Sequence, residues 1–506
     1  MAGGSYVGLD IGSTQIKVAE VRRSGRGLEV TALGIAKTPV EAYENNLIVD
    51  VPILSKAVKA LLKQAGVSTK QCVSSISGQS AVVVRVIEVP KMNAAELKTT
   101  MEYEVERNVP FASGGGGGVI TDYVPIDRPE GVADGQNMEV LLAAAQQDTI
   151  DRHVEMLFAA GLKPVAIDVE PLAVGRTLLE TGNDQQAPGH TVAIVNIGAS
   201  ISDVGIYRDK LLCFSRIVPI GGDTFTRAIG EHLQVDLETA ERYKHEVAEV
   251  VVDPTGGQPM FHMEQTFGGG GAGFHDFTQP QESIPQSTTE ASPSGRTPFL
   301  VQGQQAPSTP SSPSGRMPFD FSTPGEAPPE QSGPDFGHPA DLQQDSNRMP
   351  PANQPEQGFY QPPGQDPNSF QPVAPPAHDP NLPVLAPSQG NDALKQHVSA
   401  AINAVLVDLA SELKRSVDYY RSRAGDAPVH EVLLVGGSAK LHGLAPYLES
   451  MLDNIPTRVA DPLQNVTVTA KQMSNQQLVD AASMFPVSIG LGARDLISVP
   501  GKSKKR

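Results

Sequence analysis

Cysteine is nearly missing from this chain of 506 residues: Cys72 and Cys213 are the whole complement, and no CxxC occurs. That leaves no basis for a disulfide framework or a zinc site with spaced ligands, and it suits a reduced, cytosolic setting. Long apolar runs are missing too. No stretch of about 18 apolar residues occurs, so nothing reads as a bilayer span. The opening MAGGSYVGLDIG lacks the basic stretch and apolar run of a secretory signal. Positive charge is scarce, with 39 Lys plus Arg against 57 Asp plus Glu and a net of −18. Such a balance argues against non-specific nucleic-acid binding. The tail Gly501–Arg506 is a small basic exception. It reads as a solvated end, with contact to anionic lipid or a partner as the alternative.

Lysine and cysteine disappear altogether between Pro254 and Gly390, where Pro, Gly, Gln and Ser dominate and 3 Arg face 13 acids. A tract of that composition cannot bury enough apolar surface to offset its ordering entropy, so disorder is expected over 254–390. It holds a short repeat, Ser292–Phe299 and Ser312–Phe319, which reads as docking motifs or as drift of low-complexity sequence. Two folded blocks remain, 1–253 and 391–500.

Strands and helices alternate in both blocks. Ser5–Asp10 and Ile16–Val21 read as a hairpin around a glycine turn. Val82–Val89 reads as a strand. Asn93-Ala-Ala-Glu96 is a capping box opening a helix with Leu97, Met101 and Val105 on one face, stopped by Pro110. The run Gly114–Gly118 reads as a flexible hairpin loop. From about Leu394 to Arg423, Val398, Ile402, Val405, Leu409, Leu413 and Val417 recur every three or four residues. They predict a long helix packed along one stripe, its end carrying Arg415, Arg421 and Arg423 against the negative pole of the dipole. The histidines, His232 among them, show no ligand spacing and are expected at the surface.

Three glycine turns carry the candidate chemistry. In Asp10-Ile-Gly-Ser-Thr-Gln-Ile-Lys17, Gly12 lets backbone amides approach a polyphosphate. Ser13 and Thr14 offer hydroxyls, Lys17 a compact positive charge, and Asp10 a carboxylate that can hold a hydrated Mg2+ through water. Val192–Gly205 repeats the strand–turn–strand at the start of the second half. Glu431–Leu441 runs a buried strand into Gly436-Gly437, with Ser438 expected to start a helix whose N-terminus faces anionic groups.

The order of these turns resembles the superfamily of actin, heat-shock chaperones and sugar kinases. The resemblance implies an α/β, actin-like (ribonuclease H-like) pair of duplicated domains around a nucleotide cleft, with ATP and Mg2+ as cofactors. It puts Asp10, Gly12, Ser13, Thr14 and Lys17 on the first phosphate loop. Asn196, Gly198, Ala199, Ser200 and Ser202 fall on the second, and Gly436, Gly437 and Ser438 on the adenosine loop. Glu241 and Lys244 match the Glu-x-x-Lys that touches ribose and adenine, and Glu170 the residue near water and metal, the catalytic candidate.

Within that superfamily the chain resembles the PilM family of type IV pilus assembly, itself similar to the division protein FtsA. The supporting stretches are Ile76–Ser80, Val84–Met92, Glu102–Phe111, Ala166–Pro171 and Ile220–Thr224. The implied organisation is a first half over 1–185 with an extra small subdomain at about 80–168. The second half covers 186–253 and 391–500, interrupted by the 254–390 insertion and followed by the 501–506 tail. The implied role is a cytoplasmic ATP-binding scaffold, peripheral to the inner membrane through a PilN-like partner. That partner's N-terminal peptide is expected near Ala94–Asn108 and Val82–Val89. Self-association and other pilus assembly components are further expectations. Asn196 stands where hydrolysing members carry aspartate, which weakens phosphoryl transfer; at most a weak ATPase is expected. The alternatives are an FtsA-like filament protein and an active ATPase chaperone or small-molecule kinase.

Overall fold

The computed structural model describes residues 4–25, 27–78, 81–112, 118–126, 137–182, 187–250 and 389–497, with the backbone alone at 389–391. The expected disordered tract, most of the Gly114–Gly118 run and the basic tail lie outside these residues. The described residues up to 250 and from 394 belong to one compact unit.

The chain opens with a meander of β1 (Ser5–Ile11), β2 (Gln15–Ser24) and β3 (Gly27–Lys37). Two-residue strands β4 (Tyr43–Glu44) and β5 (Leu47–Ile48) lead to α1 (Val51–Ala65) and β6 (Gln71–Ile76). There follow β7 (Val82–Pro90), α2 (Ala94–Asn108), β8 (Val119–Ile126) and β9 (Asn137–Gln146). Next are α3 (Gln147–Ala159), β10 (Lys163–Val169) and α4 (Glu170–Gly175), which runs into a π-helical turn at Arg176–Glu180. A second meander holds β11 (Thr191–Ile197), β12 (Ser202–Arg208) and β13 (Leu211–Val218), then α5 (Gly222–Leu233) and α6 (Leu237–Glu246). Beyond the undescribed residues come α7 (Gln389–Arg423), β14 (Glu431–Val435), α8 (Leu444–Met451), β15 (Thr457–Val459), β16 (Thr467–Val468), α9 (Asn475–Ala481) and α10 (Pro486–Ala493).

Two sheets repeat one plan. The first runs β10-β6-β1-β2-β3-β16 and the second β13-β12-β11-β14-β15. In each, an antiparallel meander gains a parallel strand beside its first member, β6 on β1 and β14 on β11. This duplication is the α/β, actin-like plan expected from the repeated turn. A third sheet, β7-β9-β8, carries α2 on one face.

Local signals start and stop the helices. Asp50 caps α1 by accepting from the Ile53 amide, and Gly66 ends it in the left-handed region at φ 72°. The Asn93–Glu96 capping box is formed, and Leu97 and Met101 are buried under β9. Helix α7 buries Val398, Ile402, Val405, Leu409, Leu413 and Val417 against the second sheet and α5. Its terminal arginines find side chains as well as the dipole: Arg415 pairs with Glu412 at 2.6 Å and Arg423 with Glu88 at 3.1 Å.

The two sheets are joined where the chain returns. Helix α10 and its N-cap residue Phe485 bury Phe485, Ile489 and Ala493 against β2 and β3, and Val487 and Leu491 against α4, β11 and β14. Glycine permits this crossing. A Cβ on Gly490 would lie 1.8 Å from the Ala173 carbonyl oxygen, and one on Gly8 1.8 Å from that of Ser488. Backbone cannot yield as a flexible side chain can. Gly490→Ala should therefore cost about 3 kcal/mol or more in urea denaturation. Gly27→Ala, with nothing within 4 Å, should stay within about 0.5 kcal/mol of the parent.

Candidate functional site

The register of β1 on β2 pairs Asp10 with Lys17 and Ile11 with Ile16, leaving Gly12–Thr14 as the turn. Lys17 Nζ donates to Asp10 Oδ2 at 2.9 Å, and Asp10 is 4% exposed. The Gly12 amide closes the turn on Gln15 O at 3.0 Å. A methyl on Gly12 would sit 3.3 Å from Lys17 Nζ, filling the space beside the amine. Thr14 is exposed at the tip, and its carbonyl accepts from the Thr38 amide at 2.9 Å.

The second turn copies the first. Gly198 N donates to Ile201 O at 2.9 Å, and Asn196 pairs with Asp203 across β11 and β12. Asn196 thus occupies the place of Asp10, and Asp203 the place of Lys17. The turns meet, Ser13 Oγ donating to Ser200 Oγ at 3.3 Å. Ser202 faces away, donating to Ile220 O at 2.6 Å.

Glu170 begins α4, at the end of β10. Asn196 Nδ2 approaches its Oε2 at 3.5 Å, and it is hydrogen-bonded to Asp203 and Ser77. Burial first, then the neighbouring carboxylates of Asp203 and Asp10, pushes Glu170 well above the usual carboxylate range. Burial pushes Asp203 up to about 7, with Asp10 adding to the rise. The pair therefore holds a proton between its carboxyls near neutral pH. Asp203 was not among the residues expected from sequence. The signal was present, since it follows Asn196 by the spacing that separates Lys17 from Asp10. Burial first, then Glu170 and Asp10, also raises the Tyr43 hydroxyl beyond its usual range.

The third turn closes on the second. Gly436 stands at φ 95°, where a Cβ would lie 2.3 Å from Ile197 O. Glycine is obligatory there. Gly222 and Asp223 donate their amides to Gly198 O and Ala199 O at 2.9 and 2.8 Å. A Cβ on Gly222 would meet Ser438 Oγ at 2.6 Å and Lys244 Nζ at 3.2 Å. Lys244 donates to Gly222 O, Thr226 Oγ1 and Glu241 Oε2 at 3.1, 2.9 and 2.6 Å. Burial opposes the charge of Glu241, yet hydrogen bonds from His245, Lys244 and Thr226 hold it down to about 2. Gly437 is exposed. One expectation needs correcting: Ser438 lies in a short 3-10 turn, Gly437–Lys440, and the α-helix waits until Leu444. Gly443, in the left-handed region at φ 80°, separates the two, so no α-helical dipole points from Ser438.

The histidines need a second correction. His232 is exposed, but His153 is 4% exposed, bonded to Ser74 Oγ at 2.8 Å and pushed down to about 4 by burial. It sits in the wall of a cavity of about 240 Å³ that also includes Tyr43, Ile48, Val49, Ser77 and Arg152. Among the described residues, no helix is long and apolar enough to cross a membrane. None of their His, Cys, Asp and Glu form a three-membered group that could hold a metal directly.

A family model described as Type IV pilus assembly protein PilM matches residues 8–249, and one described as Cell division protein FtsA matches 193–483. The chain belongs to the PilM–FtsA family of actin-like proteins. FtsA of Bacillus subtilis (strain 168) is 22% identical over 280 residues, covering 51% of this chain and 61% of that protein. FtsA of Streptococcus pneumoniae (serotype 2, strain D39 / NCTC 7466) is 24% identical over 279 residues, covering 52% and 59%. The chain thus spans about three fifths of the length of these curated relatives. A solved PilM–PilN type IV pilus biogenesis complex matches at a TM-score of 0.59 and 22% identity, over 97% of this chain and 98% of that one. That likeness extends the shared fold through both sheets.

Asp203 generates a pH prediction. Its value is raised from 3.8 to about 7, so the folded state binds the proton more tightly than the unfolded. The stabilisation is complete below about pH 4 and is lost as pH rises through about 7. Asp203→Asn should remove that decline and raise Tm at pH 8 by roughly 2–4 °C. Calorimetry at pH 5 and pH 8 measures the difference.

Proposed function

We propose that this chain is an ATP-binding scaffold of a type IV pilus assembly complex. Its two halves, 1–185 and 186–500 with the 254–390 insertion, would hold nucleotide between them. The observation that carries the reading is the meeting of two equivalent glycine turns at Ser13 and Ser200, with Ser438 and Lys244 alongside. The residues fit a nucleotide. Bare backbone at Gly12, Gly198 and Gly222 offers close approach, which a Cβ would fill.

Lys17 and the amides of both turns would face phosphate, with Ser13, Thr14, Ala199 and Ser200 around it. Glu241, Lys244, Gly436, Gly437 and Ser438 would take the nucleoside. Asp10 would hold Mg2+ through water, the usual habit of a cation reluctant to shed its hydration. Bound ATP supplies a polyanion that both halves can grip. Glu170 is the residue able to orient water, and with Asn196 in place of a carboxylate the expected hydrolysis is weak. Asp203 favours the second reading, an active ATPase, because it restores an acid beside Glu170.

For the partner, the scaffold reading takes the N-terminal cytoplasmic peptide of a PilN-like inner-membrane protein, which would hold the chain at the membrane. The apolar face of α2 is spent on β9. The cavity between the β4–β5 loop and α3 is the better seat. Val49, 52% exposed, lines it, and Val40 and Ile53, 84% and 40% exposed, lie in the same stretch of chain. A few apolar anchors in such a seat carry most of the affinity of a short peptide.

Calorimetry should find ATP binding that Lys17→Ala weakens about 10-fold or more, as expected for a lost charge-assisted bond; unchanged affinity would remove Lys17 from the site. Rapid ATP turnover without any partner would sink the scaffold reading. A labelled peptide from the cytoplasmic end of a PilN-like protein should bind, and Val49→Asp should weaken it about 10-fold. Direct pelleting of the chain with liposomes and ATP would favour an FtsA-like filament instead.

A further inference from the structure

Helix α1 is built unlike the rest of this acidic chain. Its inner face, Leu54, Val58, Leu61 and Ala65, packs into the core with β1 and β2. Its outer face carries Lys56, Lys59 and Lys63, all exposed. At 3.6 residues per turn the three fall within an arc of about 60° and span about 10 Å along the axis. No acid occurs between Val51 and Ala65, although the chain carries a net charge of −18. Elsewhere Lys17, Lys244, Lys395 and Lys414 each have a carboxylate partner, at 2.6 to 3.8 Å. Among the described residues, Lys56, Lys59 and Lys63 have none.

A stripe of lysines is ordinarily solvated surface, and the place where this one begins sets it apart. Asn46–Val49 line the cavity and Asp50 then caps α1, so the helix starts at the cavity's edge. Ile53, 40% exposed, stands one turn before Lys56 on the same face. At the other end a Cβ on Gly66 would lie 2.5 Å from Gln472 Nε2, which sets exposed Lys471 beside the end of the helix. The neighbouring helix α3 exposes Asp148, Asp151 and Glu155. The positive strip is therefore narrow and bounded.

We propose that α1 is a lipid-facing surface. With the partner's peptide seated in the cavity, Lys56, Lys59 and Lys63 lie against the anionic headgroups of the bilayer from which that peptide emerges. This goes beyond the scaffold reading and rests on it. A short peptide rising from a membrane keeps the cavity near the bilayer, and α1 starts at that cavity. Lysine stems lie along the interface with their amines at the phosphates, while Ile53 offers an apolar contact. Each lysine near such a surface contributes about 5-fold to binding. Three alone fall short of stable anchoring, but they add to the hold of a tethered peptide. The acidic remainder of the chain is repelled by the same headgroups, so the one basic strip sets which way the chain faces.

The test uses the full chain and the PilN-like peptide joined through its C-terminus to a phospholipid. The peptide is displayed on vesicles of phosphatidylcholine, with or without phosphatidylglycerol. Sedimentation at low salt should find binding to the anionic vesicles about 10-fold tighter or more, a preference that shrinks as salt rises. Lys56→Glu/Lys59→Glu/Lys63→Glu alters exposed positions alone, which leaves the fold intact. It should abolish the preference and leave binding of the free peptide, measured by calorimetry, unchanged. Equal binding to both kinds of vesicle overturns the lipid contact and turns the lysines over to an acidic protein surface. A preference that survives the three substitutions overturns the assignment to α1. Pelleting on bare anionic vesicles overturns the need for the peptide. Absence of binding by the free peptide is a separate result, which overturns the partner reading and the lipid contact with it.

Discussion

Everything in this fold is arranged around the need to bring two backbone turns together without side chains in the way. Gly12 and Gly198 lead turns closed by the same amide-to-carbonyl bond, and the turns touch through Ser13 and Ser200 at 3.3 Å. Each turn is the end of an antiparallel pair, and each pair is held by a parallel neighbour. The return of α10 between the sheets then sets their relation. It can do so only because Gly8 and Gly490 let backbone lie on backbone.

Acid chemistry follows from that geometry. Asp10, Glu170 and Asp203 come together from three different strand ends, and Lys17 answers Asp10. Like charges so placed cannot all ionise cheaply in a buried setting. An asparagine at position 196 keeps the crowding from growing worse, since it gives Glu170 a donor where an aspartate would repel it. The same replacement takes a carboxylate from the place where phosphoryl transfer would use one.

The cavity adds a second consequence. It shares Tyr43 and Ser77 with the surroundings of Glu170.

Local pattern was enough for much of this. The hairpins, the Asn93 capping box, the α7 stripe and the three glycine turns were legible because each is written within a few neighbouring residues, in periodicity and in the backbone freedom of glycine. The roles of Asp203, Ser77 and His153 were not. Asp203 acquires its character by crossing to Glu170, Ser77 by following the end of a strand parallel to the one that leads into Glu170, and His153 by burial beside β6. Likewise the helix expected from Ser438 gave way to a 3-10 turn, with Gly443 in the left-handed region separating it from α8. The sequence by itself determined the elements and the turns. Tertiary structure alone decided which acids share a proton, because that depends on distances between residues far apart along the chain.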